Sequence, residues 1–181
     1  MILMNNHRNT HLYFLQKSFK VFFCIILISS FNSCNVYTFK DVSIPAEIKT
    51  IKLSYLENRA TYKSPQLSSK LTDALQQKIT GQTRLTMTNS DDANYQVSGY
   101  ISNYYITTSG ISGQQAATNR LSVGVHIDLL NTLDNKTQQF DISRDFDFSA
   151  NLTLQQAEPQ LMPDIIKNVS DEIFNRLFSN W

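Results

Sequence analysis

The sequence predicts an α+β two-layer sandwich: a mostly antiparallel four-stranded sheet with two helices packed on one face. Three observations carry this. Leu121, Val123, Val125, Ile127 and Leu129 alternate strictly with Ser122, Gly124, His126 and Asp128, the period of a half-buried strand. Leu67, Leu71, Leu75 and Ile79 recur every four residues, the stripe of a core-facing helix. Leu161, Ile165, Ile166, Val169, Ile173, Phe174 and Leu177 repeat at helical spacing near the end of the chain.

The elements follow in order. Ile48 to Tyr55 reads as a strand, with Ile51, Leu53 and Tyr55 alternating against Lys52 and Ser54. Residues from Glu57 to Lys63 form a loop. Ser64-Pro65 predicts a helix start, a capping hydroxyl followed by proline at the first helical position. Gly81 is the expected stop. Leu85 and Met87 suggest a short strand, and Asn89-Ser90-Asp91-Asp92 a turn. Tyr95, Val97, Gly99 and Ile101 alternate, and the phase then slips to Tyr104 and Ile106, which predicts a bulge near Asn103.

Thr107 to Thr118 carries no charge and reads as an adaptable contact loop, with a plain surface excursion as the equal alternative. After the central strand, a turn around Asp134-Asn135 leads to Phe140, Ile142, Phe146 and Phe148, alternating with Asp141, Ser143, Asp145 and Asp147. Two such strands joined by a short turn make an antiparallel hairpin. Pro159 and Pro163 cannot both sit comfortably inside one straight helix. The final helix is therefore expected to start near Pro163, or kink there, and to run almost to Trp181.

The N-terminus has a different character. Arg8, Lys17 and Lys20 precede the apolar run from Val21 to Ile28, and no acid interrupts residues 1–33. A positive region followed by an apolar core of about 7–15 residues is a secretory signal, and the run falls short of the roughly 20 residues a spanning helix needs. It ends in Phe31-Asn32-Ser33-Cys34. This resembles the lipobox of bacterial lipoproteins, where a small residue precedes the acylated cysteine; Phe31 and Asn32 depart from its usual residues. The resemblance implies lipidation at Cys34, with palmitate-like acyl chains as a membrane anchor. The division is then a signal peptide over 1–33, a lipidated tether over 34–46 and a domain over 47–181. No acidic run follows Cys34 to suggest surface export, so the domain is expected to face the periplasm.

Composition narrows the function. The chain has 16 basic and 15 acidic residues; three of the basic ones lie in the leader, leaving 13 against 15. That balance, with no basic stripe, argues against nucleic acid as a partner. Cys24 and Cys34 are the two cysteines, so the mature domain has no internal disulfide and no cysteine nucleophile downstream of its first residue. Its one histidine, His126, sits on the polar face of its strand and reads as a surface residue. No nucleophile elbow accompanies it, and counting excludes a zinc site rich in His or Cys. Asp141, Asp145 and Asp147 share a strand face, where they can bind calcium, act as an acid pair or form a plain solvated row, the reading favoured because the glycine turn and terminal glutamate of a calcium loop are missing. Arg144 falls on the apolar side with Ile142 and Phe146, where it can snorkel to the rim, pair with an acid or meet a phosphate. Gly110-Ile111-Ser112-Gly113 lacks phosphate-loop spacing. No cofactor, no metal and no enzymatic activity are expected.

Short motifs in order along the mature chain resemble the LptE family of lipopolysaccharide-assembly lipoproteins in its Bacteroidota form. They are Ser33-Cys34 followed by Tyr37-Thr38-Phe39; Ser43-Ile44-Pro45; Tyr55-Leu56-Glu57-Asn58-Arg59-Ala60; Thr83-Arg84-Leu85; Asn119-Arg120-Leu121; and Asp171 to Asn175 with Ser179-Asn180-Trp181. The resemblance implies an outer-membrane lipoprotein that acts as plug and assembly partner of the LptD barrel and handles lipopolysaccharide in transit. By loop position and charge, Arg59, Lys63, Arg84, Arg120 and Arg144 are the candidates to meet lipid-A phosphates. The alternatives are a stand-alone periplasmic lipid-binding or chaperone-like lipoprotein, and a hydrolase built on Ser and Asp residues.

Overall fold

In the computed structural model, residues 44–112 and 115–179 are described. The leader, Cys34 and most of the tether lie outside them, as do Asn180 and Trp181. The elements are β1 (Thr50–Leu53), β2 (Glu57–Asn58), α1 (Leu67–Gln82), β3 (Thr86–Met87), β4 (Tyr95–Ser112), β5 (Gln115–Asn131), β6 (Lys136–Ser149) and α2 (Leu154–Phe178).

The α+β class holds, and the sheet is larger and more mixed than four antiparallel strands. Six strands run in the order β3-β1-β4-β5-β6, with β2 also on β4. The β4–β5 and β5–β6 pairs are antiparallel. The β1–β3, β1–β4 and β2–β4 pairs are parallel. The short parallel strands arise because the chain leaves β1, passes through α1 and returns to the same sheet, a connection that parallel neighbours require.

β5 is the spine. Leu121, Val123, Val125, Ile127 and Leu129 are all under 5% exposed and face both helices across one core. Its neighbours supply the same face: Val97 and Ile101 from β4, Ile142 and Phe148 from β6. The phase slip in β4 is a bulge, with the register shifting between Ile101 and Asn103. The extra residue turns Tyr104 inward, where it is 2% exposed. The alternation in β1 stops sooner than expected. Ser54 donates its N–H to the Val97 carbonyl at 2.8 Å, Tyr55 swings out to 58% exposure, and Leu56 is buried in its place.

Residues 107–112 and 115–118, expected as a loop, are strand. β4 continues to Ser112 and β5 begins at Gln115, with register shifts around Gly110. Thr, as a β-branched residue, suits a pleated surface, and pairing absorbs the irregularity. β5 meets β6 only from Thr118 onward, so this hairpin tip extends past the neighbouring strand. At the other end, Asn135 takes φ 53°, a left-handed conformation that asparagine tolerates in turns.

Both helix starts differ from expectation. α1 begins at Leu67 behind Gln66, which makes no side-chain cap, and it passes through Gly81 to end at Thr83. The Thr83 N–H and hydroxyl both donate to the Ile79 carbonyl, so the stop needs no glycine. α2 begins at Leu154, nine residues before Pro163, and contains both prolines. Thr153 and Gln156 form a reciprocal capping box. That box and the burial of Ala157 and Met162 around Pro159 outweigh the two missing helical hydrogen bonds.

Two glycines give opposite expected outcomes on substitution. A Cβ on Gly99 would meet the His126 carbonyl oxygen at 2.3 Å, whereas Gly81 has nothing within 4 Å. Gly99→Ala should lower unfolding stability by about 1–3 kcal/mol, and Gly81→Ala should raise it by roughly 0.5–1 kcal/mol. Urea denaturation of both variants checks the pair.

Candidate functional site

The solvent side of the sheet is a ladder of polar rows. The alternation of β5 sends Ser122, His126 and Asp128 to this face, and the register sets a β6 partner opposite each. Asp145 accepts from the Ser122 hydroxyl at 2.6 Å. Asp141 lies 2.7 Å from His126 Nδ1. The Gln139 amide donates to Asp128 at 2.7 Å. Arg120 grips Asp147 with two bonds, 2.7 Å from Nε and 3.0 Å from the terminal nitrogen. The expected acidic row exists, with each carboxylate committed to a cross-strand neighbour. Such pairs contribute about 0.2–1 kcal/mol apiece and chiefly fix register. Among the described residues, no group of three or more His, Asp or Glu is placed to hold a metal ion.

At one corner the face becomes aromatic and basic. The Arg59 guanidinium lies 4.4 Å above the Tyr100 ring, and the Tyr100 ring is 5.2 Å from that of His126. Arg59 also faces Glu57 at 3.4 Å. The backbone of Arg59 is fixed by its N–H bond to the Ile101 carbonyl. Lys63 reaches back to the Asn58 carbonyl at 3.2 Å. Hydrogen bonding to Asp141 raises the His126 pKa above 6.5; desolvation opposes the rise, and the nearby Asp128 charge adds to it.

The five basic candidates do not form one cluster. Arg59 and Lys63 share the β2 corner. Arg120 is on the same sheet face, six residues along β5 from His126 and bound to Asp147. Arg84 donates to the Ile44 and Pro45 carbonyls, both at 2.7 Å, and clamps the incoming chain beside the end of α1. Arg144 sits on the helix-facing row, as its parity predicts, and pairs with Glu172 of α2. Glu172 also takes Arg176 at 3.0 Å. Burial works against its ionisation, but the hydrogen bonds from Arg176 and Arg144 prevail and hold the carboxyl below its usual range. Cys34 lies outside the described residues.

One cluster escaped sequence reasoning. Tyr62 and Tyr104 stack with ring centres 5.4 Å apart, and both hydroxyls donate to Glu158 at 3.2 Å. Burial, reinforced by the Glu158 charge, pushes the Tyr104 hydroxyl strongly up, so it stays protonated. Ser64 Oγ tempers that rise from nearby, yet it is not in hydrogen-bond geometry with any partner. Ser64 is thus a buried hydroxyl and not the expected helix cap. The only advance signal was the β4 phase slip, which turns Tyr104 inward.

The family model described as LptE, lipopolysaccharide-assembly, matches residues 48–177. No curated protein matches the chain. Among solved structures, a neuraminyllactose-binding hemagglutinin homolog from Helicobacter pylori is similar, with TM-score 0.54 and 12% identity, covering 78% of this chain and 89% of that one. A minor lipoprotein from Acinetobacter baumannii is 19% identical with TM-score 0.45, covering 72% of this chain and 92% of that one. Rare lipoprotein B from Shewanella oneidensis is 18% identical with TM-score 0.44, covering 70% and 92%. At 12% identity, the likeness to the Helicobacter pylori protein is one of fold alone.

The His126 pairing has a pH signature. Folded His126 holds its proton more tightly than the unfolded chain does. Its contribution to stability is complete below pH 6.5, the unfolded value, and disappears as pH rises through the higher folded value. His126→Gln should flatten that part of the stability–pH curve and leave the acid limb unchanged. Chemical denaturation from pH 5 to 9 reads the difference, and identical curves would refute the assignment.

Proposed function

We propose that this chain, which belongs to the LptE lipopolysaccharide-assembly family, is a lipid-anchored outer-membrane lipoprotein that plugs and supports the assembly of an LptD-type barrel. The observation that carries the reading is the family match, which spans nearly all of the folded domain. The family does no covalent chemistry, and the ladder of paired carboxylates suits a structural and recognition role.

The anchor is Cys34, and the domain faces the periplasm. Supporting features are the positive and apolar leader and the small residue before the cysteine. Among the described residues, no helix is long and apolar enough to cross a membrane. The β4–β5 hairpin tip, reaching beyond β6, is suited to contact inside a barrel, where an uncharged strand pair meets little desolvation penalty. For lipopolysaccharide, the β2 corner is the best of the basic candidates. Arg59 presents a guanidinium on an aromatic platform, and Lys63 lies close by in the chain. Arg84, Arg120 and Arg144 are held by closer protein contacts than the 3.4 Å from Arg59 to Glu57 or the 3.2 Å from Lys63 to the Asn58 carbonyl, and they play a smaller part.

Two measurements test the reading. Affinity purification from solubilised envelopes, with intact-mass analysis, should recover a large heat-modifiable barrel and a Cys34 N-terminus bearing acyl mass. Cys34→Ala should lose that mass. Reproducible absence of any barrel would favour a stand-alone periplasmic lipid-binding module. Reversing both charges, Arg59→Glu with Lys63→Glu, should weaken lipopolysaccharide binding to purified protein about tenfold or more, the scale of one charge-assisted bond. Unchanged binding would remove the β2 corner from the function.

A further inference from the structure

The helical layer holds a cleft that neither the sheet face nor the barrel reading uses. Its long limb, a cavity of about 880 Å³, runs between α1 and α2 over Ala74, Met162, Pro163 and Ile166. A second pocket of about 400 Å³ shares Lys70, Pro159 and Met162 with it. That pocket adds Tyr62, Ser64, Gln155 and Glu158. The cleft therefore combines an apolar strip with charged side chains along it, Asp73, Lys78 and Lys167 as well as Lys70, and its volume is in the range of small-molecule sites.

The charged groups of the cleft are incompletely satisfied in a particular way. Lys78 and Lys167 both pair with Asp171. Lys70, at the junction of the two cavities, has no carboxylate partner among the described residues. Ser64 is 4% exposed and its hydroxyl has no hydrogen-bond partner. A buried hydroxyl left so is destabilising until something pairs with it. Cation and hydroxyl together can receive a phosphate. Glu158 lines the same pocket, and its carboxylate would repel a purely anionic head. Pro159 and Pro163 have no N–H, so the carbonyls of Gln155 and Pro159 lack the helical donors four residues on. These prolines are four apart and lie on one helix face, the one that lines the cleft. The pocket thus offers the Glu158 carboxylate, two carbonyls freed from the helix ladder and the Tyr62 ring, groups that receive an ammonium.

We propose that the α1–α2 cleft binds a glycerophospholipid with a zwitterionic phospho-amine head. The phosphate meets Lys70 and Ser64, the ammonium meets Glu158, and an acyl chain lies along Met162, Pro163 and Ile166. The site shares no lining residue with the basic β2 corner, although Tyr62 and Ser64 flank Lys63 in the chain, and it does not depend on a barrel partner.

Calorimetric titration of the purified full chain tests this with four probes, the lipids kept below the concentration at which each self-associates. They are lysophosphatidylethanolamine, lysophosphatidic acid, monoolein and free phosphoethanolamine. The first should bind at least about tenfold more tightly than each of the others, a difference equal to one well-made polar contact. Lys70→Gln and Ile166→Gln should each weaken it about tenfold without shifting the thermal midpoint by more than a few degrees. Glu158→Gln should narrow the preference over lysophosphatidic acid. Equal binding of all three lipids, tighter binding of lysophosphatidic acid, or full affinity in both Lys70→Gln and Ile166→Gln would overturn the proposal. Tight binding of phosphoethanolamine alone would overturn the role of the apolar limb.

Discussion

The pairing of β5 with both neighbours is the constraint on which the rest depends. From Thr118 to Asn131 it is matched to β4 on one side and β6 on the other. A slip of one residue would carry Leu121 through Leu129 to the solvent side and bring Ser122, His126 and Asp128 into the core. Burial of the apolar row therefore fixes the polar row as well. The Ser122–Asp145, His126–Asp141 and Arg120–Asp147 contacts are consequences of that register and lock it in turn. Close packing enforces the same register at Gly99, where the β5 backbone leaves no room for a side chain.

The helices answer this sheet as a single layer. α1 presents Leu67, Leu71, Leu75 and Ile79, and α2 presents residues from Ala157 to Phe178. Salt bridges stitch the layer at its rim: Lys78 to Asp171 between the helices, Arg144 to Glu172 between sheet and helix. The Asp171 and Glu172 carboxyls are both held below their ordinary range despite partial burial, because each has two basic partners. These contacts orient the helices more than they stabilise them, since partly exposed pairs contribute little. The orientation leaves a gap between α1 and α2 instead of a sealed seam.

Much of this was legible in the sequence where a repeating pattern ran long enough. The β5 alternation, the α1 stripe and the bulge after Ile101 were all readable from residue spacing. Arg144 was readable too, since its parity placed it with Ile142 and Phe146. The failures have physical causes. β2 has two residues and no period to show. The hairpin tip was hidden because its Ser and Gly residues favour turns and only its threonines favour a strand. The proline rule in α2 was overridden by a capping box and by burial on both sides of Pro159. Ser64-Pro65 had the chemistry of a helix start two residues too early. The Tyr62–Tyr104–Glu158 cluster joins residues up to 96 positions apart, which no local pattern encodes. Of the basic candidates, sequence could find the charges but not the partners that occupy them.

β6 forms an outer boundary of the sheet, with no strand beyond it among the described residues. A free border of this length is a template on which another chain could continue the sheet. Here it carries Lys136, Asp141, Arg144, Asp145 and Asp147, all exposed and spread over both faces. A second copy laid alongside would have to desolvate those charges and set carboxylates against carboxylates. The row that organises register inside the molecule thereby also guards against self-association. That protection matters most while the chain is newly folded and its border is uncovered.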